Sequence, residues 1–147
     1  MIPLADPDAS HAFGARLAAL VQPGDVITLE GPLGAGKTSI ARGLLAALGL
    51  AGEAPSPSFA IVQPYAPPEV RLPVLHIDLY RIDDPDEMEE LGLDDAASDS
   101  LLIVEWPERA PGYWPEALAL TLQITPDGAR ALTARAPAAW RARWHQI

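Results

Sequence analysis

Cysteine and asparagine are both absent from this chain of 147 residues, and lysine occurs once, at position 37. Without cysteine there is no disulfide, no thiol nucleophile and no cysteine-ligated zinc or iron–sulfur centre. No apolar run approaches the roughly 20 residues that a membrane-crossing helix needs. The opening "MIPLADPDAS" lacks a basic segment followed by an apolar core, so no secretion signal and no membrane association are expected, and the cytoplasm is the expected compartment. Positive charge is scarce as well: 10 basic against 20 acidic residues give a formal net charge of −10. That balance opposes unaided binding to nucleic acid, whose phosphates are neutralised by lysine and arginine.

What is present points to a folded enzyme-sized domain. Hydrophobic residues make up 49% of the chain, enough for a core, and the length fits one domain over residues 1–147. Charge is unevenly spread. Residues 83–99 hold nine of the twenty acids, while Arg130, Arg135, Arg141 and Arg143 gather near the C-terminus. Both runs read first as solvated surface, and second as faces that a protein partner could use.

The pattern along the chain alternates helices and strands. Asp8 or Ser10 is expected to cap a helix running to Leu20, with Phe13, Leu17 and Leu20 on one face. "VITLE" is a short buried strand, followed by a glycine loop and a helix from Lys37 to Leu48 that Gly49 stops. "SPSFAIVQPY" reads as a loop entering a strand, and "LPVLHIDLY" returns beside it after the turn "APPE". "DPDEMEELGL" is expected to be one short helix with an aspartate cap. "LLIVEW" has the profile of a strand buried on both faces. "ALALTLQI" and "ARALTAR" form a hairpin around "TPDG", and "PAAWRARWHQI" a terminal helix. The sum is a single α/β domain with a mixed, mostly parallel sheet, antiparallel hairpins and flanking helices.

The glycine loop carries the chemistry. Gly31, Pro32, Leu33, Gly34, Ala35, Gly36, Lys37 and Thr38 match G-x-x-x-x-G-K-S/T in full, between a strand and a helix as a phosphate-binding P-loop requires. Glycines let backbone N–H groups converge on phosphates without Cβ clashes, and the helix N-terminus adds its positive end. Lys37 brings a compact charge on a flexible stem to the β- and γ-phosphates, a task for which arginine's rigid fork is not equivalent. Thr38 offers a hydroxyl to Mg²⁺. A P-loop also needs an acid at a strand end to hold magnesium, directly or through water. Glu105, after "LLIV", and Asp78, after "VLHI", are the two candidates. His76, Asp78 and Tyr80 alternate and so share a face; His76 by itself reads as a structural hydrogen-bonding group. Trp106 could wall the pocket, and Arg81 and Arg109 could offset phosphate charge. With no asparagine and the only lysine already used, the N-K-x-D box that reads guanine in Ras-like GTPases cannot exist, and ATP is the expected nucleotide by elimination.

The order of "GPLGAGKTS", "SPSF", "HIDLYR", "EELGLDD" and "VEWPER" resembles the bacterial TsaE family, also called YjeE, over about residues 31–109. The resemblance implies a small P-loop ATPase needed to form threonylcarbamoyladenosine in tRNA. It implies that Lys37 and the loop from Gly31 through Ser39 hold the phosphates and that Thr38 and Glu105 hold Mg²⁺. Asp78 would face the nucleotide, and Asp78 or Glu105 would position the attacking water. It further implies that residues 56–59, with Ser58, form a mobile loop near the γ-phosphate and that Trp106 lines the active site. The expected partners are the proteins TsaD and TsaB, with tRNA reached only through their complex. Pro32 departs from the acid usual in the family, and Ser39 and Ser58 from its threonines. The alternatives are a small-molecule P-loop kinase and a nucleotide-gated binding module. No lid insertion between the motifs favours the kinase.

Overall fold

The computed structural model describes residues 1–52, 54 and 62–147. The chain opens with a three-residue strand, β1 (Ile2–Leu4), that its brevity hid from the sequence pattern. Helix α1 (Pro7–Ala18) follows. Its cap is Asp6, not Asp8 or Ser10: the Asp6 carboxylate accepts from the Ala9 N–H at 2.8 Å, and proline opens the first turn. Proline at that place has no N–H to lose and a backbone angle already helical, so the start moves ahead of the residues expected to cap it. Ser10 instead lies buried inside the helix.

Strand β2 (Val26–Glu30) leads through the glycine loop into α2 (Lys37–Ala47). Strands β3 (Val62–Tyr65) and β4 (Val74–Asp78) form the first hairpin. The short helix expected over residues 84–93 is a 3₁₀ segment (Pro85–Leu91), and a further helix, α3 (Leu93–Ala97), starts beyond Gly92 at φ 63°. A left-handed residue ends one helical segment before the next begins. Strand β5 (Leu101–Glu105), a 3₁₀ turn (Pro107–Arg109), the hairpin β6 (Leu118–Ile124) and β7 (Arg130–Arg135), and α4 (Ala138–Trp144) complete the order.

The seven strands make one sheet ordered β1-β7-β6-β2-β5-β4-β3. The pairs β6–β2, β2–β5 and β5–β4 are parallel, and the other three are antiparallel. Because β1 reverses relative to β7 and β7 relative to β6, five of the seven strands point one way. Helices α1 and α2 cover one face with Phe13, Leu17, Ile40, Leu44 and Leu45 against Ile27, Leu29, Leu101 and Ile103. Met88 and Leu93 from the acidic segment cover the other, against Ile77, Leu102 and Val104. The acids of that segment lie on its outer side, apart from a half-buried Glu87. Strand β5 is buried at every position, as a central parallel strand with both faces covered must be.

Two glycines set how closely the covering helices approach. A Cβ on Gly14 would lie 2.0 Å from the Ile40 carbonyl oxygen, and one on Gly43 would lie 1.9 Å from that of His11. Part of the arginine-rich tail is structural. Arg143 forks onto Asp25 at 2.6 and 3.1 Å, donates to the Leu20 carbonyl and stacks 4.0 Å from the Trp140 ring. This fastens α4 to the turn before β2. Among the described residues, no helix is long and apolar enough to cross a membrane.

Candidate functional site

The C-terminal ends of β2, β4 and β5 open into a cavity of about 490 Å³, lined by residues 33–39 of the glycine loop and by Asp78, Tyr80, Arg81, Glu105 and Trp106. The parallel core places them there. Glu105 sits opposite Leu29 on β2 and opposite Asp78 on β4, so residues 27 positions apart are neighbours at one sheet edge. Ligands in open α/β sheets bind at such carboxyl ends.

The loop crosses from sheet to helix with Gly34 at φ 79° and Gly36 at φ 102°. These left-handed angles are open to glycine without the Cβ penalty other residues meet, and they turn successive N–H groups to one side. Gly36 serves as the N-cap of α2 with no side-chain cap bond, so the helix presents free N–H groups and its positive end to the cavity. Gly31 and Pro32 do not line the cavity and take part through their carbonyls, which accept from Lys37 Nζ at 2.6 and 3.0 Å. Pro32 thus contributes the oxygen it has and not the N–H it lacks.

Lys37 is only 5% exposed. Its ammonium stands 3.9 Å from the centroid of the Trp106 ring. Burial lowers its pKa from 10.5, against the opposing pull of Glu105, Glu108 and Asp78. Trp106 itself has φ 61°, the one positive value at a non-glycine among the described residues. Its ring also packs against Tyr80 with centroids 4.9 Å apart, and the Arg109 guanidinium lies 5.5 Å from the Tyr80 ring. A bulky residue held in this backbone region costs on the order of 1–3 kcal/mol and persists where its surroundings impose it.

The acids occupy different niches. Glu105 is 2% exposed. One of its oxygens accepts from the Thr38 hydroxyl at 3.0 Å, and the other meets His76 Nε2 at 2.6 Å. Asp78 accepts from the Tyr80 N–H at 2.9 Å. Burial raises the Asp78 pKa above 3.8, and the neighbouring Glu105 adds to the rise, while the Tyr80 N–H, His76 and Lys37 oppose it.

The structure therefore brings Lys37, Thr38, Ser39, Asp78, Glu105 and Trp106 around one space. Arg81 lines it as well; Arg109 reaches it only through Tyr80. Ser58 and the rest of residues 56–59 lie outside the described residues. The face expected for His76, Asp78 and Tyr80 divides by depth: His76 is fully buried beneath Glu105, Asp78 is at the floor and Tyr80 is 44% exposed at the rim. Sequence reasoning did not foresee Arg130 in its observed place. It reaches from β7 to donate to the Gly34 carbonyl at 2.9 Å, bracing the loop crest. No local pattern marks this contact, which spans 96 residues.

A strand, a glycine loop and a helix carrying lysine and threonine, with an acid on the adjacent parallel strand, define a P-loop NTPase fold. The sequence pattern of one family, described as threonylcarbamoyl adenosine biosynthesis protein TsaE, matches residues 4–133. The chain belongs to the TsaE family. It is 37% identical to the tRNA threonylcarbamoyladenosine biosynthesis protein TsaE of Bacillus subtilis over 130 residues, 87% of this chain and 80% of that protein. The protein of the same name from Streptomyces coelicolor is 46% identical over 97 residues, 65% of this chain and 66% of the relative. The crystal structure of Bacillus subtilis YdiB superposes with a TM-score of 0.82 at 29% identity, over 99% of this chain and 90% of that one.

Proposed function

We propose that this protein binds and hydrolyses ATP with Mg²⁺ as a component of the cytoplasmic machinery that forms N6-threonylcarbamoyladenosine in tRNA, acting with the TsaD–TsaB complex. The observation that carries the reading is the meeting of Thr38 and Glu105 at 3.0 Å beside Lys37, within one cavity of a TsaE-family fold.

The donor set fits magnesium. Among the described residues no three His, Cys, Asp or Glu side chains are grouped to enclose a metal. Magnesium does not need such a cage, since it takes a few hard oxygens from protein and the rest from water and phosphate. Thr38 and Glu105 offer such oxygens, and Asp78 stands one strand away. Bound there, the ion would neutralise charge on the β- and γ-phosphate oxygens.

The chain's own residues would do the rest. The N–H groups of Gly34 and of Gly36 to Thr38 would take the phosphate oxygens, and Lys37 would leave the Gly31 and Pro32 carbonyls to reach the γ-phosphate. Asp78, its carboxylate destabilised by burial, would hold the attacking water and accept its proton. Trp106 and Tyr80 would exclude bulk water from one side. The exposed Leu33 (72%) and Tyr80 (44%) at the rim would be covered by the partner complex, which would raise a low intrinsic rate. With a net charge of −10, tRNA would be met through that complex and not directly.

Phosphate release is to be measured with ATP alone and again with TsaD–TsaB added. Stimulation by the complex supports the proposal. Transfer of phosphate to a small acceptor in place of water would replace it with a kinase. Full turnover by Lys37→Ala and Glu105→Ala would overturn the site.

A further inference from the structure

His76 is fully buried on the face of the sheet that α1 and α2 cover, between the apolar positions Val74 and Ile103 of β4 and β5. Burial at such a position ordinarily favours an apolar side chain. Among the described residues the imidazole makes one hydrogen bond, to Glu105 at 2.6 Å, and its Nδ1 is buried with no partner. The desolvation of that second nitrogen is therefore uncompensated, and the single contact at Nε2 is what the histidine supplies. That contact goes to the acid whose other oxygen meets Thr38. Glu105 is thus held from behind, with one oxygen tied into the core and the other turned to the cavity.

We propose that His76 is the positioning residue for magnesium in this site: its Nε2–H donates to Glu105 Oε2, which fixes the rotamer of the carboxylate and leaves Oε1 to act with Thr38. The inference rests on the magnesium reading of the site given above. Groups that hold a ligating carboxylate from behind change metal affinity by about 10- to 100-fold when removed. The donor required is one N–H at the position of Nε2, which a glutamine amide can supply and a leucine cannot.

Calorimetric titration with ADP, in Mg²⁺ and in EDTA, on wild type, His76→Leu, His76→Gln and Glu105→Gln tests this. Wild type is expected to bind ADP more tightly with Mg²⁺, and Glu105→Gln to lose that gain. His76→Leu is expected to lose about 10- to 100-fold of the Mg²⁺-dependent affinity while its affinity in EDTA stays near wild type, and His76→Gln is expected to recover most of the loss. Equal losses in Mg²⁺ and EDTA would mark a merely structural histidine and overturn the inference. If wild type gains nothing from Mg²⁺, the magnesium reading itself fails and the inference with it. A gain that Glu105→Gln abolishes and His76→Leu retains removes the inference alone. Should His76→Leu not fold, the nitrogen-detected imidazole spectrum of wild type decides: a proton on Nε2 supports the assignment, and an Nε2 without one overturns it.

Discussion

The Lys37 ammonium lies 3.9 Å from the centre of the Trp106 indole ring while donating to two carbonyls of its own loop. The P-loop lysine is thus stowed on neutral partners, with burial lowering its pKa from 10.5. An arriving phosphate offers a full negative charge in place of two carbonyl dipoles, so the exchange is favourable and needs only side-chain rotation. Lys37→Ala is expected to lower ATP turnover by about 10²–10³-fold, the scale seen when one donor to a transition-state oxyanion is removed. Lys37→Arg is expected to fail as well, because the planar guanidinium does not fit between the carbonyls and the indole. Steady-state phosphate release measures both.

Asp78 links the site to stability. Its folded-state pKa is raised, chiefly by burial, so the folded chain holds the proton more tightly than the unfolded one does. The stability this group contributes is complete below its unfolded value of 3.8 and is lost as pH rises through the folded pKa. Above that folded pKa the ionised carboxylate therefore opposes folding. Asp78→Asn is expected to melt higher than wild type at pH 7, by about 2–4 °C for each kcal/mol relieved, while turnover falls. The gain should shrink as pH approaches 4. Thermal melts across that range check the sign, and a lower melting temperature at pH 7 would contradict it.

Trp106 holds a left-handed backbone angle, φ 61°, and so separates backbone strain from ring contacts. Left-handed geometry costs a non-glycine residue about 1–2 kcal/mol, which glycine avoids at some cost in unfolded-chain entropy. Both Trp106→Ala and Trp106→Gly lose the stack on Lys37 and Tyr80. The glycine variant is nevertheless expected to be at least as stable as the alanine one in urea unfolding, the reverse of their usual order.

Gly14 and Gly43 are expected to tolerate nothing larger. Alanine at either site would place a methyl about 2 Å from a carbonyl oxygen of the facing helix, a contact relieved only by separating α1 from α2. A loss of about 1–3 kcal/mol or more in chemical denaturation follows for each. Since α2 begins at Lys37, nucleotide affinity should fall in the same variants. By contrast, Gly52, which among the described residues has nothing within 4 Å of an added Cβ, offers a control: a loss there is expected to stem from its φ of 79°.

The phosphate loop, the alternating elements and the two candidate acids were legible because they are local. Eight contiguous residues define the loop, and a run of apolar residues ending in an acid marks a strand ending at a site. Short or cooperative features were not. Strand β1 has three residues and forms only by pairing with β7, so no periodicity announces it. Asp6 outcompeted Asp8 and Ser10 as a cap because Pro7 favoured the earlier start.

The sequence alone determined that Lys37 and Thr38 stand at the head of a helix behind a glycine loop, since backbone freedom and helix polarity act within a few residues. Tertiary structure alone decided that Glu105 meets Thr38 across 67 residues, that His76 holds it from beneath, and that Arg130 braces Gly34 across 96. Those contacts depend on which strands lie side by side and in what register. Parallel pairing of β4, β2 and β5 is set by burial of the whole sheet, to which every element contributes and which no single stretch of sequence encodes.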